Sequence, residues 1–237
     1  MVSPLARQRQ QIINQQAQEK ATVITVANTN SLHLLLAELE TDEKVLKGLN
    51  RIDEKVAHKR DVLVPKYREA IEAYLAGEDT FDNPLLAKMV IWLFDIGDLE
   101  TAIKWCDIAI ERELDTPERF KRDFATFCAD EVLAWSEKMA AQGHSVEPYF
   151  TTVFNKVRHE WRIHEKPTAK WFKFAGLRLL NDDKGKPVAS SVGSVETLNE
   201  ALALLTEANN QYAAIGVTTH IDKIHQRIRA LESSNNL

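Results

Sequence analysis

Residues 84–109 read PLLAKMVIWLFDIGDLETAIKWCDIA. Leu85, Leu86, Met89, Val90, Leu93 and Phe94 recur at helical spacing, and Ile91 and Trp92 widen the apolar face. Gly97 can take the left-handed conformation that ends a helix, and Asp98 can cap the next one. The second helix then buries Leu99, Ala102, Ile103, Trp105, Cys106 and Ala109, with the small Ala102 where a larger side chain would push the two helices apart. Two helices joined by a tight turn, with a small residue at their crossing, form a stackable unit that cannot bury its own face alone.

A second unit is legible at residues 195–208, VETLNEALALLTEA. Aligned on Ala201, Leu198 falls on Leu99, Leu202 on Ile103, Leu204 on Trp105, Leu205 on Cys106 and Ala208 on Ala109. An apolar helix, Trp171 to Leu180, precedes it. Between them lies the polar loop 181–193, NDDKGKPVASSVG. Eight glycines and seven prolines in 237 residues, and long Ala/Leu/Glu/Lys-rich runs, argue for helix throughout. The fold class expected is all-α: an N-terminal arm and a charged helical hairpin, followed by a helical-repeat-like (tetratricopeptide-like) bundle.

Residues 1–30 read as a flexible, glutamine-rich arm carrying Arg7 and Arg9. Residues 31–77 read as the charged hairpin: one long helix from Ser31 to about Arg60, then a return helix opened by Pro65 and stopped by Gly77. On the long helix Leu32, Leu36, Leu39, Leu46 and Leu49 form a narrow apolar stripe among mixed charges, the pattern of a subunit contact. The alternative is a helix packing one edge on its own domain. Residues 84–237 form the third region. Within it Thr116-Pro117 is expected to open a helix running to about Ala141, and Ser145 to His164 another.

At 44% hydrophobic and 27% charged residues the composition is that of a soluble globular chain. No run of about 18 apolar residues suggests a membrane span, and no apolar signal segment is present. Cys106 and Cys128 fall inside helical patterns and read as core residues of a protein in a reducing compartment. Neither phosphate-binding glycine motif occurs, nor C-x-x-C or H-E-x-x-H, so no catalytic residue, cofactor or metal site is expected. His159 and His164 are poorly spaced to share a metal.

One charge feature stands out against a net charge of −5. From Phe154 to Arg178 the basic residues are Lys156, Arg158, Arg162, Lys166, Lys170, Lys173 and Arg178, and the acidic ones are Glu160 and Glu165. His159, Trp161, His164, Trp171 and Phe172 are interleaved. A local basic excess in an acidic chain is a candidate phosphate-binding surface. Arg158, Arg162 and Lys166 are expected along one helix and its end. The alternative is solvated lysines over a helical core that buries the aromatics. Arg7 and Arg9 of the arm are the second basic candidate.

Several segments together carry a family resemblance. Ser3-Pro4 is followed by arginines and then by the charged hairpin. Trp92-Leu93-Phe94-Asp95-Ile96-Gly97-Asp98-Leu99, followed by Ala102, gives a W-x-x-D-x-G-D block. Phe127-x-x-Asp130-Glu131-Val132, Gly143-His144-Ser145-Val146 and the Ala201 helix complete the order. This resembles the small terminase subunit of temperate tailed phages of the Peduovirus type. The resemblance implies a role in genome packaging in the cytoplasm of the bacterial host. The small subunit would recognise the cohesive-end site on concatemeric double-stranded phage DNA, assemble as a ring-like homo-oligomer, and recruit the large subunit that carries the ATPase and nuclease. Two other readings stay open: a helical-repeat adaptor that binds only protein, and an endonuclease subunit in its own right.

Overall fold

The computed structural model describes residues 32–77, 81–116 and 120–234. Among these residues every regular element is helical, and the sole extended pairing is a single bridge between Asn181 and Pro187. In chain order the elements are α1 (residues 32–48), α2 (Ile52–His58), α3 (Val64–Ala76), α4 (Pro84–Ile96), α5 (Leu99–Glu111), α6 (Phe124–Ala141), α7 (Tyr149–His159), α8 (Glu165–Arg178), α9 (Val195–Gln211) and α10 (Thr218–Ser234).

The α4–α5 unit forms as its local sequence requires. Asn83 Oδ1 accepts from the Leu85 and Leu86 amides at 3.0 and 3.4 Å, and Pro84 takes a first-turn position where no N–H is needed. Gly97 adopts φ 81°, letting the Asp98 amide reach back to the Leu93 carbonyl at 2.9 Å. Asp98 then caps α5 through the Thr101 amide at 3.2 Å. Ala102 is fully buried.

The hairpin turns earlier than its sequence pattern suggests. α1 stops at residue 48, and the chain reverses through Leu49, Asn50 and Arg51. The second arm then runs unbroken from Ile52 to Ala76. Pro65 does not open it. A π turn over Lys59–Leu63 joins α2 to α3 immediately before the proline. A proline ring clashes with the carbonyl four residues back in a regular helix, and the wider turn relieves that clash. Lys66 and Tyr67 tie the arms together through Asp42, at 2.8 and 2.6 Å, and Lys88 of α4 reaches Glu43 at 2.6 Å. Burial, reinforced by the Asp42 hydrogen bond, pushes the Tyr67 hydroxyl up to about 12.

Two further helix ends differ from the sequence pattern. α6 begins at Phe124, where Asp123 Oδ1 accepts from the Thr126 amide at 2.6 Å. Phe120 lies before the helix and packs on Phe127 with ring centroids 5.2 Å apart. α7 ends at His159 rather than His164: the Glu160 and Trp161 amides both close on the Lys156 carbonyl, at 2.8 and 2.7 Å. Trp161 is buried from the loop that follows.

A large core runs from Leu39 of α1 through α3–α8 to Leu204 and Ala208 of α9. A smaller one gathers Leu180, Ala189, Leu198, Ala201, Leu205, Val217 and Ile224 between α8, α9 and α10. α9 serves both. At its crossing with α8, a Cβ added to Gly176 would stand 2.9 Å from Leu205 Cδ2 and 3.2 Å from the Ala201 carbonyl, so the absent side chain permits the close approach.

Candidate nucleic-acid interface

The basic stretch 154–178 folds as two helices and a connecting loop over an aromatic core. Phe150, Val153, Phe154 and Val157 recur at helical spacing on α7 and are buried. Trp171 of α8 stacks against Phe150, with centroids 5.3 Å apart and planes at 21°, and against Phe154 at 6.2 Å and 7°. Phe172 meets Phe154 edge-on at 5.3 Å. The aromatics interleaved with the basic residues are therefore core, and Trp161, Trp171 and Phe172 offer no exposed faces for stacking on bases.

The charges sort by what holds them. Lys156 donates to Asp107 at 2.7 Å, lies 3.5 Å from Glu160 and stands over the Trp161 ring. Burial alone would lower its pKa, but these two carboxylates hold it raised. Arg178 pairs with Glu147 at 3.2 Å and lies 4.8 Å over the Phe150 ring. Both side chains clamp neighbouring elements together. Arg158, Arg162, Lys166 and Lys170 are exposed.

Arg158, Arg162 and Lys166 do not share a helix. Arg158 is in the last turn of α7, Arg162 in the loop, and Lys166 in the first turn of α8, because the chain leaves the helix to bury Trp161. The basic residues that do share a face are Lys166, Lys170 and Lys173, at i, i+4 and i+7 on α8. Lys166 stands 5.9 Å from the Tyr212 ring centroid, and Lys173 donates to the Ile215 carbonyl at 2.8 Å. Lys170 and Lys173 flank a groove whose opposite wall is Asp130 and Glu137 of α6; Asp130 is already paired with Arg122 at 2.8 Å.

The structure adds two residues to this face. His220 in the first turn of α10 has its pKa lowered by burial and by the positive charges of Lys223 and Lys173. Lys173 of α8 and Lys223 of α10 therefore converge around one histidine. The H-x-x-K spacing in the last helix was the only sequence signal, and the approach of α10 to α8 lay beyond any local pattern. Arg7 and Arg9 lie outside the described residues.

The hairpin leucines face inward. Leu39 is buried, and Leu32, Leu36 and Leu46 pack partly buried against the same core. Leu49 lies half-buried in the turn.

Residues 36–166 match the profile of the phage small terminase subunit, more than half of the chain. The chain belongs to the phage small terminase subunit family. This terminase subunit is 33% identical over 207 residues to the "Probable terminase, endonuclease subunit" of Haemophilus phage HP1 (strain HP1c1), covering 87% of this chain and 74% of that one. It is 22% identical over 195 residues to the "Terminase, endonuclease subunit" of Escherichia phage P2, covering 82% and 73% respectively. No solved structure matches it.

Since both relatives' names include an endonuclease, the carboxylates of this terminase subunit matter. Asp95, Asp130 and Glu131 come from the W-x-x-D and F-x-x-D-E segments. Glu131 has its pKa raised by burial, with Asp95 and Asp130 adding to the effect and Arg122 opposing it. Asp95 is held by Lys59 at 2.6 Å and Asp130 by Arg122 at 2.8 Å. Among the described residues no group of three or more histidines, cysteines or carboxylates is placed to hold a metal ion. Among the same residues no helix is long and apolar enough to cross a membrane.

Proposed function

We propose that this terminase subunit binds the cohesive-end region of double-stranded phage DNA, associates with itself, and presents the DNA to the large subunit, which cuts and translocates it. One observation supports the DNA-facing part most directly: Lys166, Lys170 and Lys173 line one face of α8, and Lys223 with His220 joins them from α10. These side chains belong to a chain of net charge −5, so the positive field is local. Arg158 and Arg162 at the α7–α8 loop, and Arg7 and Arg9 of the arm, extend the contact. Such residues meet phosphates and set the register of the duplex without reading its bases. The endonuclease in the relatives' names is read here as a property of the assembled terminase that this subunit directs.

The test is an anisotropy titration of labelled cohesive-end and random duplexes at several salt concentrations. Each lysine that neutralises a phosphate contributes roughly 0.9 to the slope of log K against log salt. Replacing Lys166, Lys170 and Lys223 by alanine should therefore flatten that slope by about 2–3 and weaken both duplexes alike. An unchanged slope in this variant, with loss of binding on removal of residues 1–30, assigns the DNA contact to the arm instead. Cleavage of DNA by the purified chain alone with Mg²⁺ or Mn²⁺ overturns the directing role in favour of an intrinsic nuclease.

A further inference from the structure

The large exposed apolar side chains among the described residues are Leu34 (69% exposed), Val45 (51%), Ile52 (81%) and Val62 (47%), and all four lie in the N-terminal hairpin. Leu34 and Val45 are eleven residues apart, three helical turns, and so stand above one another on α1. Ala37, Thr41 and Gly48 fall between and beyond them on the same face, and all are exposed. This face points away from Leu39 and its inward neighbours. Resting on the reading that the subunit associates with itself, we propose that this outer face of α1 is a twofold interface, on which α1 of a second copy packs antiparallel about an axis at Thr41.

Shape and charge both support a copy of the same helix as the occupant. A twofold axis at Thr41 sets Leu34 against Gly48 of the second copy and Val45 against Ala37 of the second copy, so each large side chain meets a small one. No atom lies within 4 Å of where a Cβ on Gly48 would stand, which leaves room for the incoming leucine. Thr41 meets its own symmetry mate. Ile52, beyond the turn, continues the apolar strip past Gly48.

The charges divide in the same way. On the side of α1 that faces its own chain, Glu38 and Asp42 pair with Lys66, and Glu43 pairs with Lys88. On the outer flank Glu40 and Lys44 are exposed and make no ion pair among the described residues. The antiparallel pairing brings Glu40 of each copy beside Lys44 of the other, twice by symmetry. Opposite charges flanking an apolar seam set partner and orientation in paired helices.

The experiment uses the full chain. Mass in solution is measured by light scattering over a range of concentrations for wild type and for Leu34→Glu with Val45→Glu. Both side chains are exposed, so the variant keeps its helical content by circular dichroism, and its mass should fall by half. A separate variant, Thr41→Cys, is incubated with glutathione disulfide as oxidant. The native Cys106 and Cys128 are buried, and burial raises the Cys106 thiol pKa well above its ordinary value, so neither competes. Thr41→Cys should form a disulfide-linked dimer on a non-reducing gel, whereas Glu137→Cys, exposed on α6, should not. If the charged variant keeps the wild-type mass, or Thr41→Cys links no faster than Glu137→Cys, the twofold face is wrong while self-association through another surface stands. An unchanged mass with newly rapid proteolysis within residues 1–30 would instead make the chain's own first segment the occupant, which also overturns the proposal. A wild type that is monomeric at every concentration overturns the self-association reading itself.

Discussion

The α4–α5 and α8–α9 pairs place a small residue at the same point of a helix crossing, yet they are held by different means. In α4–α5 only Gly97 and Asp98 separate the helices, and the turn closes through the left-handed glycine and the Asp98 cap. In α8–α9 the segment 179–194 intervenes, so the connection does little to set the angle. There the crossing is set by shape, with Gly176 against Leu205 and Ala201 and each helix contributing to two cores. A local turn can fix the geometry of one pair, whereas the other depends on interdigitation between residues far apart in sequence. The two should therefore fail under different kinds of substitution.

The largest effect is expected from Ala102→Trp. Ala102 is fully buried between α5 and its neighbours, and an indole has no space there. The cost should reach or exceed the upper end of the roughly 1–3 kcal/mol typical of overpacking. For a chain of this size about 2–4 °C of melting temperature goes with each kcal/mol. Calorimetry that finds the melting temperature unchanged would show that the α4–α5 crossing is not close-packed at Ala102.

Gly176→Val is expected next, at about 1–3 kcal/mol. The first added carbon already meets Leu205 Cδ2 at 2.9 Å, and the Ala201 carbonyl at 3.2 Å cannot rotate away as a side chain can. Part of the cost is offset because glycine is a poor helix former, by about 1 kcal/mol relative to alanine. Gly176→Ala should therefore come out far milder than Gly176→Val. Equal stability of all three forms would show that α8 and α9 can slide apart, and would remove the contrast between the pairs.

The same distinction governs what could be read in advance. The α4–α5 unit was legible because its signals are local: Asn83-Pro84, Gly97-Asp98 and an unbroken apolar period. The helical class followed from the same kind of signal repeated along the chain. Helix ends were harder wherever burial and helicity part company. Trp161 keeps the apolar spacing of α7 and is buried, but it reaches the core from a loop, so the period continued past the real end at His159. Pro65 was read as a helix start because a π turn that absorbs a proline leaves no distinct residue pattern. Among the candidate contacts, the lysine face of α8 was within reach of helical spacing. The locking of Lys156 by Asp107, and the approach of His220 and Lys223, required the packing of α5 and α10.

The smallest effects lie at the caps, and they test the contrast most finely. Asp98 accepts from the Thr101 amide at 3.2 Å and from Arg68 at 3.1 Å; Ser194 accepts from the Thr197 amide at 3.1 Å and donates to Glu196 at 2.8 Å. Removing a side-chain cap typically costs about 0.5–2 kcal/mol. Asp98→Ala should lie near the middle of that range, because the turn it closes also sets the angle between two buried helices. Ser194→Ala should lie at the lower end, because the start of α9 is fixed independently by Leu198, Ala201 and Leu205 in the core. Asp98→Asn keeps an acceptor for the Thr101 amide and loses only the charge facing Arg68, so it should recover most of the loss seen with alanine. Chemical denaturation of the three variants gives the order: Ser194→Ala and Asp98→Asn close to wild type, Asp98→Ala clearly below. If Ser194→Ala costs as much as Asp98→Ala, the α8–α9 pair depends on its local start as heavily as α4–α5 does, and packing alone does not hold it.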